Sequence, residues 1–157
     1  MTVFGKTISE YVRFMHPFIV LIFAVGIARL TLSLAGVENS IVQWISISIV
    51  SGVAWLYYSV KAHTSGFGTY KHLLPVNVIQ GVVGNFVIAS GIAIAIFTGK
   101  DNVFSIPENS GGVDGKTWFH AGAHLLAGAT LGALVFWILG CAIMFITKKI
   151  APRPMSR

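Results

Sequence analysis

The sequence predicts an all-α integral membrane protein, a bundle of four transmembrane helices with both termini in the cytoplasm. Three observations carry this prediction. Of the 157 residues, 55% are apolar and only 10% are charged, whereas about 25% of a soluble domain is charged. Four apolar stretches reach the ~20 residues that a helix needs to cross a bilayer. Basic residues gather beside these stretches, so the net charge of +6 indicates membrane topology and not a nucleic-acid partner.

The four predicted helices follow one another in a single membrane domain, residues 1–157. They run approximately over residues 17–36, 41–60, 73–97 and 118–146. Apolar residues are continuous within them, as in IVLIFAVGIA and GIAIAIF, and do not alternate with polar residues as barrel strands would. Helices are therefore the predicted spanning structure, and the lipid bilayer is the first predicted partner. The first stretch is longer than the core of a signal peptide, so we expect it to remain as a helix.

The charges of the connecting segments predict the orientation. Basic residues cluster before the first helix, between the second and third, and after the fourth: Lys6, Arg13, Lys61, Lys71, Lys148, Lys149, Arg153 and Arg157. The first connection has no Lys or Arg, and loop 98–117 offsets Lys100 and Lys116 with three acidic residues. By the positive-inside rule, both termini are predicted to be cytoplasmic and loop 98–117 to lie on the opposite side.

Loop 98–117 is the longest segment outside the predicted helices. It is rich in Gly, Asn, Ser and Asp and has a Pro near its middle, a composition typical of turns. A loop of this length is usually either functional or mobile. Two arrangements are therefore expected, a lid packed over the bundle through Phe104, Ile106 and Val113, or an unpacked linker.

Arg29 is the only Lys, Arg, Asp or Glu within the four apolar stretches. A charged side chain at the centre of a bilayer costs roughly 3 kcal/mol on insertion scales, so such residues usually serve a structural or functional partner. The predicted topology places Arg29 in the outer half of the first helix. The partner of its guanidinium is thus the main question that the sequence raises about function.

Four other polar residues share this predicted depth. His120 and His124 lie near the start of the fourth helix, and because they are four residues apart they share one helix face. Glu38 and Gln43 lie near the start of the second helix. We therefore predict a candidate ligand-binding layer formed by Arg29, His120, His124, Gln43 and Glu38.

Three interpretations of this layer remain open. In the first, Arg29 has a structural role and reaches the headgroups or pairs with Glu38. In the second, Arg29 and the histidines bind a small anion or polar ligand, because Arg offers a planar two-pronged donor. In the third, His120 and His124 bind a metal ion, completed by a carboxylate from Glu38, Glu108 or Asp114. The HExxH motif of zinc proteases is not present, since Ala121 follows His120.

A haem b site is a further alternative, because small four-helix membrane cytochromes have a similar size. Bis-histidyl haem needs two imidazoles that face each other from different helices at one depth. Near the cytoplasmic side, His16, His63 and His72 lie at the ends of the first three helices. These three residues are the candidates for such a site.

The predicted helices also carry uncharged polar and small residues near the middle of the bilayer. Buried amides and hydroxyls usually form hydrogen bonds between membrane helices, and small residues allow close packing. The predicted interhelical polar residues are Ser51, Asn77, Gln80 and Asn85, and the predicted packing glycines are Gly81, Gly84, Gly128 and Gly132. These glycines are expected either in the seam of the bundle or at the interface of a homo-oligomer or a larger membrane complex.

The sequence contains no recognised catalytic or nucleotide-binding motif, and fold alone does not define a function. We favour a non-enzymatic membrane module, an oligomeric or accessory subunit that binds a small anionic or polar ligand in the outer half of the bundle. The alternative is a subunit of a membrane oxidoreductase that binds a metal ion or haem b.

Overall fold

The structure is a computed structural model that describes residues 1–151, and its regular secondary structure is helical apart from a short N-terminal hairpin. The elements are β1 Thr2–Val3, β2 Lys6–Thr7, α1 Ile8–Leu34, α2 Asn39–Val42, α3 Ile47–Thr64, α4 Tyr70–Thr98, a 3-10 turn Pro107–Asn109, α5 Trp118–Ala123, a π-helical turn His124–Gly128 and α6 Ala129–Ile150. Arg153 and Arg157 of the charge pattern lie outside the described residues.

Four helical segments are long and apolar enough to cross a membrane: Ile8–Leu34, Asn39–Thr64, Tyr70–Thr98 and Trp118–Ile150. This confirms the predicted number and order of spans and indicates a small multi-pass membrane protein. Large apolar side chains such as Phe86, Leu126 and Ile138 are exposed on the sides of the bundle. A bilayer is the solvent in which such a surface is stable.

The first helix begins well before the predicted start at Pro17. Thr7 and Glu10 form a capping box, in which Glu10 N donates to Thr7 Oγ1 (3.2 Å) and Thr7 N donates to Glu10 Oε2 (2.7 Å). These bonds satisfy amide groups that the first helical turn leaves without partners. Pro17 therefore lies inside α1, and the helix extends beyond its apolar stretch.

The second and fourth spans each contain an interruption that the sequence did not predict. Residues 41–60 are not one continuous helix, because α2 ends at Val42 and α3 begins at Ile47. Ser46 caps α3 by accepting a bond from Ile49 N at 3.4 Å. In the fourth span the π-helical turn His124–Gly128 separates α5 from α6. Such turns add one residue to a helical turn and are frequent at functional sites.

Helix α4 packs against the other three spans through small residues. A Cβ atom at Gly81 would lie 3.3 Å from Ala129 Cα, and one at Gly84 would lie 3.6 Å from Ile47 Cγ2. Two indoles add contacts between helices, since Trp55 Nε1 donates to the Phe136 carbonyl (2.8 Å) and Trp137 Nε1 to the Tyr70 carbonyl (2.9 Å). In lipid, this close packing stabilises the bundle in place of the hydrophobic effect.

The N-terminal hairpin and the end of α6 lie at the same end of the bundle. His72 Nε2 is 3.2 Å from the Phe4 carbonyl oxygen, and His63 Nε2 is 3.0 Å from that of Ala151. We call this the terminal end. The opposite end carries residues 99–117, which we call the lid.

The lid is packed against the bundle, as the first of the two expected arrangements requires. Phe104 is 5% exposed and lies against Gly91. Asn102 Nδ2 donates to the Gly91 carbonyl (2.7 Å), and Val103 N donates to Ser33 Oγ (2.8 Å). Of the expected anchors, however, Val113 is exposed. The lid is thus held by residues 102–105 and not along its whole length.

Candidate functional site

Arg29 lies on α1 near the lid end, and its side chain is half-buried. Its Nε atom is buried and has no hydrogen-bond partner among the described residues. The ion pairs of the described residues join Lys6 to Glu10 and Lys116 to Asp101 and Asp114, so none involves Arg29. Its guanidinium carbon is 5.5 Å from the centre of the Phe104 ring. Among residues 1–151, this aromatic ring is the group that contacts the charge.

A cavity of about 240 Å³ lies beside Arg29. It forms where five parts of the chain meet: α1, the start of α3, α4, the lid and the π-helical turn. Its lining residues are Arg29, Ser46, Ile47, Ser48, Ile88, Val103, Phe104, Asn109 and His124. The lining contains a guanidinium, hydroxyl groups, an amide and an imidazole, but no carboxylate. The cavity therefore carries a positive charge that its own walls do not neutralise.

The break between α2 and α3 and the lid place the polar groups of this cavity. Ser46 caps α3 and Ser48 lies in its first turn, so both hydroxyls come from the end of α3 that faces the lid. Asn109 lies in the lid, where its Nδ2 donates to the Val103 carbonyl at 2.6 Å. Asn109 is not among the site residues that the sequence predicts. A single polar residue in a turn-rich loop gives no signal of its own.

His124 is the first residue of the π-helical turn, and it connects the cavity to α4. Its Nδ1 atom is 3.0 Å from Asn85 Oδ1. Asn85 Nδ2 donates to the Gly81 carbonyl at 2.9 Å, which orients the amide so that Oδ1 faces the imidazole. Because an amide oxygen only accepts hydrogen bonds, His124 Nδ1 is the donor. The Nε2 atom remains as the other hydrogen-bonding group of this ring.

The other predicted members of the layer do not line the cavity. His120 Nδ1 is 3.0 Å from the Gly115 carbonyl, and its ring centre is 5.0 Å from that of His124. Glu38 is exposed and accepts from Ser40 Oγ at 3.2 Å, whereas Gln43 Nε2 donates to the Ser40 carbonyl at 2.9 Å. Because the helix stops at Val42, Gln43 does not share a continuous helix face with the serines of α3.

The two histidines proposed for metal binding lie side by side, but none of the proposed carboxylates joins them. Among residues 1–151, no group of three or more His, Cys, Asp and Glu residues is placed to hold a metal ion. Asp114 pairs with Lys116, whose backbone N–H donates to Asp114 Oδ1 at 2.9 Å. This bond and the Lys116 ammonium lower the pKa of Asp114. His120 and His124 are therefore without a third protein ligand in this arrangement.

The histidines proposed for haem b lie at the terminal end. His16 is exposed on α1. His63 contacts the Ala151 carbonyl, and His72 contacts the Phe4 carbonyl through Nε2 while its Nδ1 accepts from Thr69 N at 3.0 Å. The hydrogen-bond contacts of His63 and His72 thus connect segments of the chain at this end.

The predicted interhelical polar residues meet between α3, α4 and the fourth span. Gln80 Nε2 donates to the Ser51 carbonyl at 2.6 Å, and Asn85 contacts His124. The Asn85 side chain occupies the space over Gly128, whereas a Cβ atom at Gly132 would meet nothing within 4 Å. Gly81, Gly84 and Gly128 therefore lie at close contacts within the bundle, and Gly132 faces open space.

Comparisons with protein-family models, with curated proteins and with solved structures found no match to this chain.

Proposed function

We propose that this protein is a non-enzymatic membrane module that binds a small oxyanion, such as a carboxylate or a phosphate, in the cavity beside Arg29. One observation carries the proposal. A guanidinium with a buried, unpartnered Nε atom lines a cavity that has no carboxylate in its walls. An anion in the cavity would supply the missing partner.

The balance of energies supports an anionic ligand. Removing a charge from water costs several kcal/mol unless the charge is paired. The contact of Arg29 with the Phe104 ring contributes about 0.5–2 kcal/mol, depending on how far it is desolvated. This contact offsets only part of the cost. A hydrogen-bonded anion would offset more, because charge-assisted bonds are roughly twice as strong as neutral ones.

The chemistry of the lining favours an oxyanion over a spherical ion. The planar guanidinium matches the two oxygens of a carboxylate or phosphate. The Ser46 and Ser48 hydroxyl groups can donate to further oxygens, and His124 Nε2 can accept a hydrogen bond from a protonated oxygen such as the hydroxyl of hydrogen phosphate. Phe104 covers this region from the lid. The proposed ligand is therefore small, anionic and bound under the lid.

The predicted orientation would make the site open to the non-cytoplasmic side, since the lid carries few unpaired basic residues and the terminal end carries many. In this proposal the apolar sides of the bundle face lipid, and the protein acts as an oligomeric or accessory subunit of a membrane complex.

The proposal is tested by calorimetric titration of acetate and of inorganic phosphate into the protein in a non-ionic detergent. We expect the parent to bind at least one of the two, Arg29→Ala to lose the binding and Arg29→Lys to weaken it about tenfold or more, because Lys lacks the planar fork. Arg13→Ala is the matched control, since Arg13 lies exposed on the same helix. It should bind like the parent.

Two results would overturn this function. If Arg29→Ala and Arg29→Lys bind both anions as the parent does, the cavity is not the site. If the purified protein shows a Soret band or stoichiometric metal, the alternative of an oxidoreductase subunit replaces the non-enzymatic one. Circular dichroism of each variant checks that its helices are retained, and Arg29→Lys keeps the test valid if Arg29→Ala unfolds.

A further inference from the structure

A second cavity, of about 210 Å³, lies between α3, α4 and α6, closer to the middle of the bundle. Its polar lining residues are Ser48, Ser51, Asn77, Gln80 and Asn85. Its lining contains no Asp, Glu, Lys, Arg or His. The site is thus neutral, in contrast to the cavity beside Arg29.

Glycine residues create the space. Gly52 on α3 and Gly132 on α6 both line the cavity, and a Cβ atom at either position would meet nothing within 4 Å. Packing glycines in membrane helices normally bring a neighbouring backbone close, as Gly81 does with Ala129. Gly132 instead leaves room for another molecule.

Two amides that line this cavity have unsatisfied hydrogen-bonding atoms. Asn77 is 6% exposed and Gln80 is 8% exposed, yet Asn77 Nδ2 and Gln80 Oε1 are buried without a partner among the described residues. The bond from Gln80 Nε2 to the Ser51 carbonyl orients the Gln80 amide, because the opposite orientation would place two oxygens together. Buried polar atoms rarely remain unpaired in native proteins. An occupant of the cavity toward which these two side chains turn would supply the missing partners.

The arrangement of the two atoms defines the chemistry of that occupant. Asn77 and Gln80 are three residues apart on α4, so their side chains are neighbours on the helix surface. One presents a donor and the other an acceptor. An amide or lactam presents the matching acceptor and donor on one carbonyl carbon, as its oxygen and its N–H group. The volume exceeds the roughly 150 Å³ of an engineered apolar cavity that binds benzene.

We infer that this second cavity binds a neutral molecule that carries an amide or lactam group on a small apolar body. The amide pairs with Asn77 and Gln80, and the apolar body lies against Ile47, Ala133 and Phe136 of the lining. The site is separate from the proposed anion site, although Ile47, Ser48 and Ile88 line both cavities.

Benzamide is a suitable probe, and its effect is measured as the shift of Tm of the detergent-solubilised protein by tryptophan fluorescence. At ten times its Kd we expect a rise of about 4 °C. Acetophenone, which keeps the acceptor but lacks the donor, should give a smaller shift. Benzoate, which is charged, should give no Tm shift by binding in this cavity. Any binding of benzoate to the cavity beside Arg29 is removed by measuring in Arg29→Ala.

Two variants, Gly132→Leu and Asn77→Leu, test whether benzamide binds in this cavity, and Gly122→Leu is the control. Gly132→Leu should fill the cavity and abolish the benzamide shift, whereas Gly122→Leu should not, because Gly122 has equal space on the same span but does not line this cavity. Asn77→Leu should raise the Tm of the unliganded protein, since it removes an unpaired donor, and should reduce the benzamide shift.

The inference is wrong if benzamide leaves the Tm of the parent unchanged, or if its shift survives Gly132→Leu. The first result would leave the unpaired atoms to water, which also satisfies buried polar atoms, and the second would place the bound benzamide outside this cavity. Arg29→Ala should leave the benzamide shift intact. The benzamide shift and the titration of anions can therefore fail independently, and each failure refutes only its own site.

Discussion

His124 and Asn85 form a hydrogen bond that connects the walls of the two cavities, with 3.0 Å between Nδ1 and Oδ1. His124 lines the cavity beside Arg29, and Asn85 lines the one nearer the middle of the bundle. The bond joins α4 to the π-helical turn of the fourth span. It therefore holds the one irregular turn in this span against the most buried helix.

This bond should contribute measurably to stability. In a double-mutant cycle of His124→Phe and Asn85→Leu, we expect a coupling free energy of about 0.6–2 kcal/mol, the range found for hydrogen bonds between membrane helices. The measurement is the free energy of unfolding of the four proteins by SDS titration in mixed micelles. Each single variant is expected to be less stable than the parent, because it leaves one buried polar group unpaired.

His16→Phe is the control for this cycle, because His16 is exposed on α1. Combined with Asn85→Leu, its effect should be additive within about 0.5 kcal/mol. A coupling near zero for the His124 pair, or an equal coupling for the His16 pair, would show that the bond does not hold the π-helical turn.

Two glycines of the fourth span should respond in opposite ways to the same substitution. Gly128→Ala places a Cβ atom into the Asn85 amide, so we expect a loss of about 1–3 kcal/mol from overpacking. Gly132→Ala meets nothing within 4 Å and should gain up to about 1 kcal/mol from helix propensity. The free energy of unfolding measures both. Equal effects would contradict the packing seen at Gly128.

The sequence predicted those parts of the fold that follow from composition and length. Continuous apolar stretches predict four spans because a helix needs about 20 apolar residues to cross a bilayer. Helix ends were less predictable, since a capping box such as that of Thr7 and Glu10 extends α1 past its apolar region. The break at residues 43–46 and the π-helical turn are not marked by a loss of hydropathy, because Trp44 and Ile45 lie within the first and Leu125 and Leu126 within the second.

The candidate site was predicted only in part, for a related reason. The depth of a residue in the bilayer follows from the order and direction of the helices. This prediction placed Arg29 and His124 at one depth, and both line one cavity. Helix rotation and local breaks cannot be read in the same way, so Glu38 and Gln43 were expected there but make local bonds to Ser40. The lid residue Asn109 was not expected, because no periodicity places loop residues.

Asn102 should be the main anchor of the lid. It is 1% exposed, its Nδ2 donates to the Gly91 carbonyl, and its Oδ1 accepts from Phe104 N at 3.0 Å. Asn102→Ala leaves the buried Phe104 amide unpaired, at about 1–3 kcal/mol. We expect faster hydrogen exchange at Phe104 and weaker binding of anions beside Arg29. Glu108→Ala, at an exposed lid position, is the control and should change neither.

If hydrogen exchange at Phe104 is unchanged in Asn102→Ala, the lid is held instead by the bond from Val103 N to Ser33 Oγ. Ser33→Ala would then be the variant that loosens it. Loss of anion binding without faster exchange would contradict the role of the lid as a cover for the site.

The part of the lid around Asp114 should become more mobile in acid. The backbone N–H of Lys116, and then its ammonium, lower the pKa of Asp114, so this carboxylate stabilises the folded lid above its ordinary pKa of about 3.9. That contribution is lost as the pH falls through the lower, folded pKa. A spin label at Val113, which is 65% exposed, should become more mobile as the pH falls below about 4. Asp114→Asn should be mobile already at pH 6 and show less change, and a label that responds equally in both proteins would assign the transition to another group.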